Sequence, residues 1–145
     1  MIPYKIAIGS DHAGYPIKDL LMPFLLGFGH SVKDYGTFSE QSMDYPDIAR
    51  PLSQAVANGE HNFGILVCGS GNGMSITANK IPGVRSALCW IPEIATLARS
   101  HNDANVCAIP GRFVSIDRAQ EIVRAFLETR FEGGRHAARV CKIEP

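Results

Sequence analysis

The chain has no apolar run approaching the roughly 18 residues of a membrane-spanning helix. Its opening residues, Met1-Ile2-Pro3-Tyr4-Lys5-Ile6, lack a basic stretch followed by a hydrophobic one. The expectation is a soluble, unprocessed, cytoplasmic protein. It also lacks an excess of either charge. With 14 Lys+Arg against 14 Asp+Glu, no overall field collects nucleic acid or an anionic membrane, so any anion must be gripped locally. The four cysteines, Cys68, Cys89, Cys107 and Cys141, form no C-x-x-C pair, and the five histidines, at 12, 30, 61, 101 and 136, lie in separate segments. No zinc motif is readable from such spacing, and the expectation is reduced thiols, no structural metal and no cofactor. Repeats, low-complexity tracts and linkers are absent too, so 145 residues with 46% apolar content read as one domain, 1–145.

Short β-rich apolar runs alternate with stretches of helical period, which predicts βα units, a mainly parallel sheet and the α/β class. Residues 4–9 read as a first strand. Ile17, Leu20, Leu21, Phe24, Leu25 and Phe28 then recur at helical steps up to Gly29, with Pro23 inside the pattern as a candidate kink. A second strand is predicted over 32–36, a helix over 48–57, and a third strand over 63–68. The unbroken Gly64-Ile65-Leu66-Val67 implies burial of that strand on both faces. A glycine-rich turn leads into a helix ending near Lys80. Strands over 84–90 and 106–109 and helices over 94–99 and 115–129 complete five of each, and the chain from about residue 130 extends beyond the sheet. Cys89, Cys107 and Cys141 are expected to be small buried hydrophobes.

Open parallel sheets bind ligands beyond the carboxyl ends of their strands. After the first strand come Gly9-Ser10-Asp11-His12-Ala13-Gly14, after the third Cys68-Gly69-Ser70-Gly71-Asn72-Gly73, and after the fifth Gly111-Arg112. Alternate glycines Gly69, Gly71 and Gly73 before a helix let several backbone N–H groups point at one anion, although a tight strand-to-helix turn would use the same residues. Met74 stands where a dinucleotide fingerprint needs glycine and where a cysteine phosphatase loop needs arginine, and the P-loop Gly-Lys-Ser/Thr is missing. Cys68 beside that loop is expected to have a lowered pKa and to serve as base or nucleophile. Asp11 and His12 suit polar contacts and proton movement, with turn formation by Asp11 the alternative. His101 with Asn102 could supply a proton donor and an amide at the end of the fourth helix. Arg135 and Arg139, four apart with His136 between, make a fork for a phosphate dianion if helical.

These segments, together with Asp44-Tyr45-Pro46, Ala78-Asn79-Lys80, His101-Asn102-Asp103 and Gly133-Gly134-Arg135-His136 followed by Arg139-Val140, occur in one order and spacing from about Ile6 to Val140. In that respect the chain resembles the ribose-5-phosphate isomerase B family, which also contains allose-6-phosphate and galactose-6-phosphate isomerases. The resemblance implies a metal-free aldose–ketose isomerase that interconverts ribose 5-phosphate and ribulose 5-phosphate, in the pentose phosphate pathway, through a cis-enediolate. It also implies a three-layer, Rossmann-like α/β/α sandwich and a homodimer or dimer of dimers with its site at the subunit interface, the segment from about 130 contacting the partner.

By the same resemblance Cys68 is the base, and Ser70 with the amides of Gly69, Gly71, Asn72 and Gly73 stabilises the enediolate. His101 and Asp11 assist ring opening, and Asn102 holds sugar oxygens. His12, Arg112, Arg135 and Arg139 bind substrate, the last two at the phosphate, and Tyr45 lines the pocket. Ser70 stands where many relatives carry threonine, and Met74 where some carry a glutamate base, which marks the cysteine type. The presence of His101 favours a substrate whose ring must open, since the galactose-6-phosphate branch lacks that histidine. Allose 6-phosphate is the alternative substrate. A non-catalytic sugar-phosphate-binding subunit and a cysteine hydrolase using Cys68 and His101 are the alternative classes.

Overall fold

A computed structural model describes residues 2–145. In chain order it contains β1 (Lys5–Ser10), α1 (Tyr15–Gly27), β2 (Ser31–Asp34), α2 (Pro46–Ala57), β3 (Phe63–Cys68), α3 (Asn72–Ala78), β4 (Ser86–Leu88), α4 (Pro92–Asn102), β5 (Val106–Pro110), α5 (Ile116–Glu128) and α6 (Arg135–Val140). The strands form one parallel sheet in the order β2-β1-β3-β5-β4.

Strand side chains alternate between two buried faces. Ile6, Ile8, Ile65, Val67, Cys107 and Ile109 pack against α1, α4 and α5, around Leu21, Leu25, Ala98, Ile122 and Phe126. Ala7, Leu66, Cys68 and Val106 pack against α2 and α3, around Ala49, Leu52, Val56, Met74 and Ala78. Helices on both faces make the three-layer sandwich, and they explain why the central strands carry unbroken apolar runs. Phe126, fully buried and edge-to-face with Phe63 at 5.5 Å between centroids, anchors the first face, where truncation to alanine costs about 3–5 kcal/mol.

The helix after β1 covers one face and the helix after β3 the other, so the loops leaving these adjacent strands diverge. That divergence opens a crevice above their carboxyl ends.

The edges differ from the sequence expectation. The second strand ends at Asp34 rather than residue 36, although residues 35–37 still exchange backbone hydrogen bonds with β1: Tyr35 N–H donates to the Ile8 carbonyl, and the Gly36 carbonyl accepts from Ser10 N–H. At that end the Asp34 carboxylate accepts the Gly36 N–H and takes the ammonium of the buried Lys18 at 2.7 Å. Lys18 also donates to the Thr37 carbonyl. The strand expected over 84–90 shrinks to Ser86–Leu88. There, side-chain amides replace neighbouring backbone: Asn105 Oδ1 accepts from Arg85 N–H, and Asn79 pairs both ways with Ser86, accepting its N–H at 2.8 Å and donating to its carbonyl at 3.0 Å. Pro23 does not end α1, which runs through it. A sixth helix, α6, forms in the segment expected to lie beyond the sheet. Cys89 and Cys107 are buried as expected, but Cys141 is exposed, since it lies past α6 where nothing covers it among the described residues.

Candidate active site, divided between two ends of the sheet

At the carboxyl end, β3 delivers Cys68 to the crevice with only 4% of its surface exposed. The expected lowering of its pKa is corrected. Burial pushes the thiol up and the Asp11 carboxylate adds to this, while hydrogen bonding from the backbone amides of Met74, Gly71 and Gly73 pulls it down without overcoming the burial. The sulfur therefore has the amide cradle the glycines foretold, in a drier place than they revealed. Gly71 adopts φ 79° at the head of α3, and a Cβ there would meet Leu88 Cδ1 at 2.4 Å, so the loop needs glycine both for conformation and for space.

The loop after β1 closes onto the same strand end. Asp11 N–H donates to the Val67 carbonyl and its Oδ1 accepts from Gly14 N–H at 2.8 Å, which is the turn role. Asp11 is nevertheless close enough to act electrostatically on Cys68. His12 Nδ1 accepts from Met43 N–H at 3.3 Å, which leaves the proton of the neutral ring on Nε2. Tyr45 lies over Gly73, where an added Cβ would sit 2.6 Å from its ring. Ser70 Oγ accepts from Asn72 N–H. Arg112 donates its own N–H to Gly69 O at 3.0 Å, and its guanidinium lies along that glycine. Cys68, Ser70, Gly69, Gly71, Asn72, Gly73, Asp11, His12, Tyr45 and Arg112 thus share one end.

His101, Asn102, Arg135 and Arg139 do not. Helix α4 runs back against the strands and ends beside the start of β5, where the Asn102 carbonyl accepts from Arg85 Nε. Cys68 is in register with Pro110 at the far end of β5. The five residues of that strand alone separate the two groups by about 13 Å. A Cys68–His101 pair within one chain, as the hydrolase alternative requires, is therefore excluded. Around His101, folding joins segments distant in sequence. The His136 ring stacks on it, 4.1 Å between centroids and 11° between planes. Glu132, anchored by its N–H to the Ser100 carbonyl, brings its carboxylate to 3.6 Å from His136 Nε2 and 4.0 Å from His101 Nε2.

Burial lowers the His136 pKa, with the charges of His101 and Arg135 acting in the same direction and Glu132 opposing them. His136 turns inward, whereas Arg135 and Arg139 are exposed. The expected three-residue fork is therefore two arginines backed by a buried imidazole. A cavity of about 290 Å³ here is lined by His101, Asn102, His136, Arg139, Val140 and Ile143. Glu132 was not anticipated, although it stands four residues before His136, with Gly133 and Gly134, both at positive φ, turning the chain between them.

The sequence model of the family described as Ribose/Galactose Isomerase matches residues 6–143. The chain belongs to the ribose/galactose isomerase family. Its members are sugar-phosphate isomerases of the aldose–ketose type. Ribose-5-phosphate isomerase B of Escherichia coli is 46% identical over 139 residues, 96% of this chain and 93% of that protein. A crystal structure of a ribose 5-phosphate isomerase from Thermotoga maritima superposes with TM-score 0.95 at 51% identity, covering 97% of each chain. D-erythrulose-4-phosphate isomerase of Pectobacterium atrosepticum is 41% identical over 140 residues, 96% of this chain and 92% of that protein. Family members of this similarity thus carry different substrate names.

Proposed function

We propose that the chain interconverts ribose 5-phosphate and ribulose 5-phosphate in a site completed by a second copy of itself. The reading is carried by one observation, the Cys68 sulfur set against the amides of Gly71, Gly73 and Met74 at the switch point of a parallel sheet. In the forward direction the thiolate takes the proton from carbon 2 of the open-chain aldose. The C–H pair becomes the enediolate double bond, and charge moves onto oxygen 1. The thiol then returns its proton to carbon 1 while the proton of the carbon 2 hydroxyl passes to oxygen 1, leaving the ketose.

Backbone donors aimed at such an oxyanion act without reorganising, and loss of one costs about 3 kcal/mol of barrier. The raised thiol pKa reduces thiolate population at neutral pH but makes the thiolate that forms a stronger base. Ser70 supplements the amides, Tyr45 walls the pocket, and Asp11 with His101 opens the sugar ring. Asn102 holds sugar oxygens, and His12, Arg112, Arg135 and Arg139 take up substrate, the last two at the phosphate.

The two ends meet only if a partner supplies one of them. Exposed apolar side chains sit on α3 and α4, the helices that lead away from the Cys68 loop and toward His101 (Ile76, Ile94, Leu97), and on the segments before α4 and after β5 (Trp90, Ile91, Phe113). Two-fold pairing through these side chains sets the Cys68 end of each chain against the His101 end of its mate. The test is turnover of ribose 5-phosphate, allose 6-phosphate and erythrulose 4-phosphate side by side, with solvent deuterium incorporation read by mass spectrometry. Turnover with exchange into carbon on ribose 5-phosphate supports the reading. Faster turnover of another sugar phosphate reassigns the substrate, and binding without exchange identifies a non-catalytic subunit.

A further inference from the structure

Among the described residues, His101, Glu132 and His136 are the one group of at least three potential metal ligands whose ligating atoms converge, all within 4.8 Å of one another. We propose that these three side chains bind a zinc-type divalent cation and that filling this site arrests the isomerase by capturing His101. Two imidazoles and a carboxylate form a donor set suited to zinc and its neighbours, with a fourth position left for water. The backbone already gathers them. Glu132 N–H is fastened to the Ser100 carbonyl, next in chain to His101, and the Gly133–Gly134 turn returns His136 onto the His101 ring. Both Nε2 atoms lie toward the same carboxylate, at 3.6 and 4.0 Å.

Ligation asks for a small rearrangement. Zinc–nitrogen bonds are about 2.0–2.1 Å, and nearly parallel rings do not aim their lone pairs at one point. The buried His136 is the fixed ligand; the half-exposed His101 turns about its Cβ–Cγ bond, and the exposed Glu132 follows. The neighbouring cavity of about 290 Å³ leaves room for the ion and its water. Arg135 and Arg139 on the same short helix oppose a cation, so the affinity falls below that of a closed structural site. The site therefore fills with rising metal concentration and empties with a chelator, unlike a permanent structural centre.

The binding claim stands apart from the proposed reaction, while the arrest rests on the role given to His101. Titration calorimetry with Zn2+ on the full-length protein, and visible absorption with Co2+, measure binding directly. Ribose 5-phosphate turnover, followed across the same titration and after addition of a chelator, measures the arrest. We expect one ion per chain, a tetrahedral-type cobalt spectrum, at least tenfold weaker binding in Glu132→Gln and in His136→Asn, and turnover that falls with occupancy and returns with chelation. Glu132 is exposed, so its variant remains informative if the buried His136 does not tolerate replacement. Absence of binding, or binding unchanged in Glu132→Gln, overturns the site. Binding with the expected variant losses but undiminished turnover overturns the arrest and removes His101 from the reaction. A protein that binds the ion yet turns over no sugar phosphate refutes the function and leaves the site standing.

Discussion

The two ends of the sheet hold opposite kinds of equipment. At the carboxyl end, buried backbone dominates: Cys68, nearly closed to solvent, is surrounded by amides, and tight glycines let loops approach to van der Waals limits. At the amino end, side chains dominate, two exposed arginines and two stacked histidines carried by the end of α4 and by a six-residue helix. Stabilising a developing oxyanion demands fixed dipoles that do not reorganise. Holding a phosphate asks only for cations at the right distance, and remote binding energy then positions the reacting carbons. In the proposed reaction the carboxyl end carries the first task and the amino end the second.

The sharpest way to break this comparison is to destroy each end on a different chain. Cys68→Ala should cut turnover by about a thousandfold or more, within the range for a lost base, with substrate binding retained by calorimetry. His101→Asn should be defective on cyclic substrate. When the two variants are mixed and exchanged statistically, half the dimers carry one intact composite site, so about a quarter of wild-type activity returns. No recovery on mixing would mean that Cys68 and His101 do not share a site.

A smaller effect belongs to the cationic end alone. Arg135→Ala or Arg139→Ala should raise KM for ribose 5-phosphate by about 10- to 100-fold, the worth of one hydrogen bond to a charged group, with little change in kcat. The reverse split would place the arginines in the chemical step. At the other end, the raised Cys68 pKa means the folded chain holds the thiol proton more tightly than the unfolded chain does. This contribution to stability is present below the unfolded thiol value of about 8.5 and is lost as pH rises through the folded value. Iodoacetamide labelling of Cys68, read by peptide mass spectrometry, should accordingly climb with a midpoint above about 8.5; a lower midpoint would mean that a partner's cations reach the sulfur. A change that acts through the backbone rather than through a functional group is Gly14→Ala, whose Cβ would fall 2.1 Å from the Val67 carbonyl oxygen and force the loop and β3 apart. It should cost about 3 kcal/mol or more in denaturant melts and lower turnover through displacement of Asp11.

Strands buried on both faces announce themselves as unbroken apolar runs, and the apolar run 63–68 coincides with β3. The crevice residues were legible because a general rule places ligands beyond strand ends. What the residues alone did not reveal was direction. His101 closes a helix that runs opposite to the strands, which puts it at the far rim of the same sheet as Cys68, and no local pattern carries that fact. The environment of the sulfur was half legible: Gly69, Gly71 and Gly73 signalled amides, but its burial comes from the way α2 and α3 close over that face of the sheet, which no local pattern carries. The meeting of His101 with His136 was invisible for the same reason, since it depends on where α6 docks.

Asn79 occupies the outer rim of β4 by answering both main-chain groups of Ser86. A neighbouring strand extending the sheet there would have to displace this side chain at the first residue of the edge. Under the proposed pairing, drift in the side chains of α3 and α4 would retune how two copies fit while the strand ladder beneath stayed as it is.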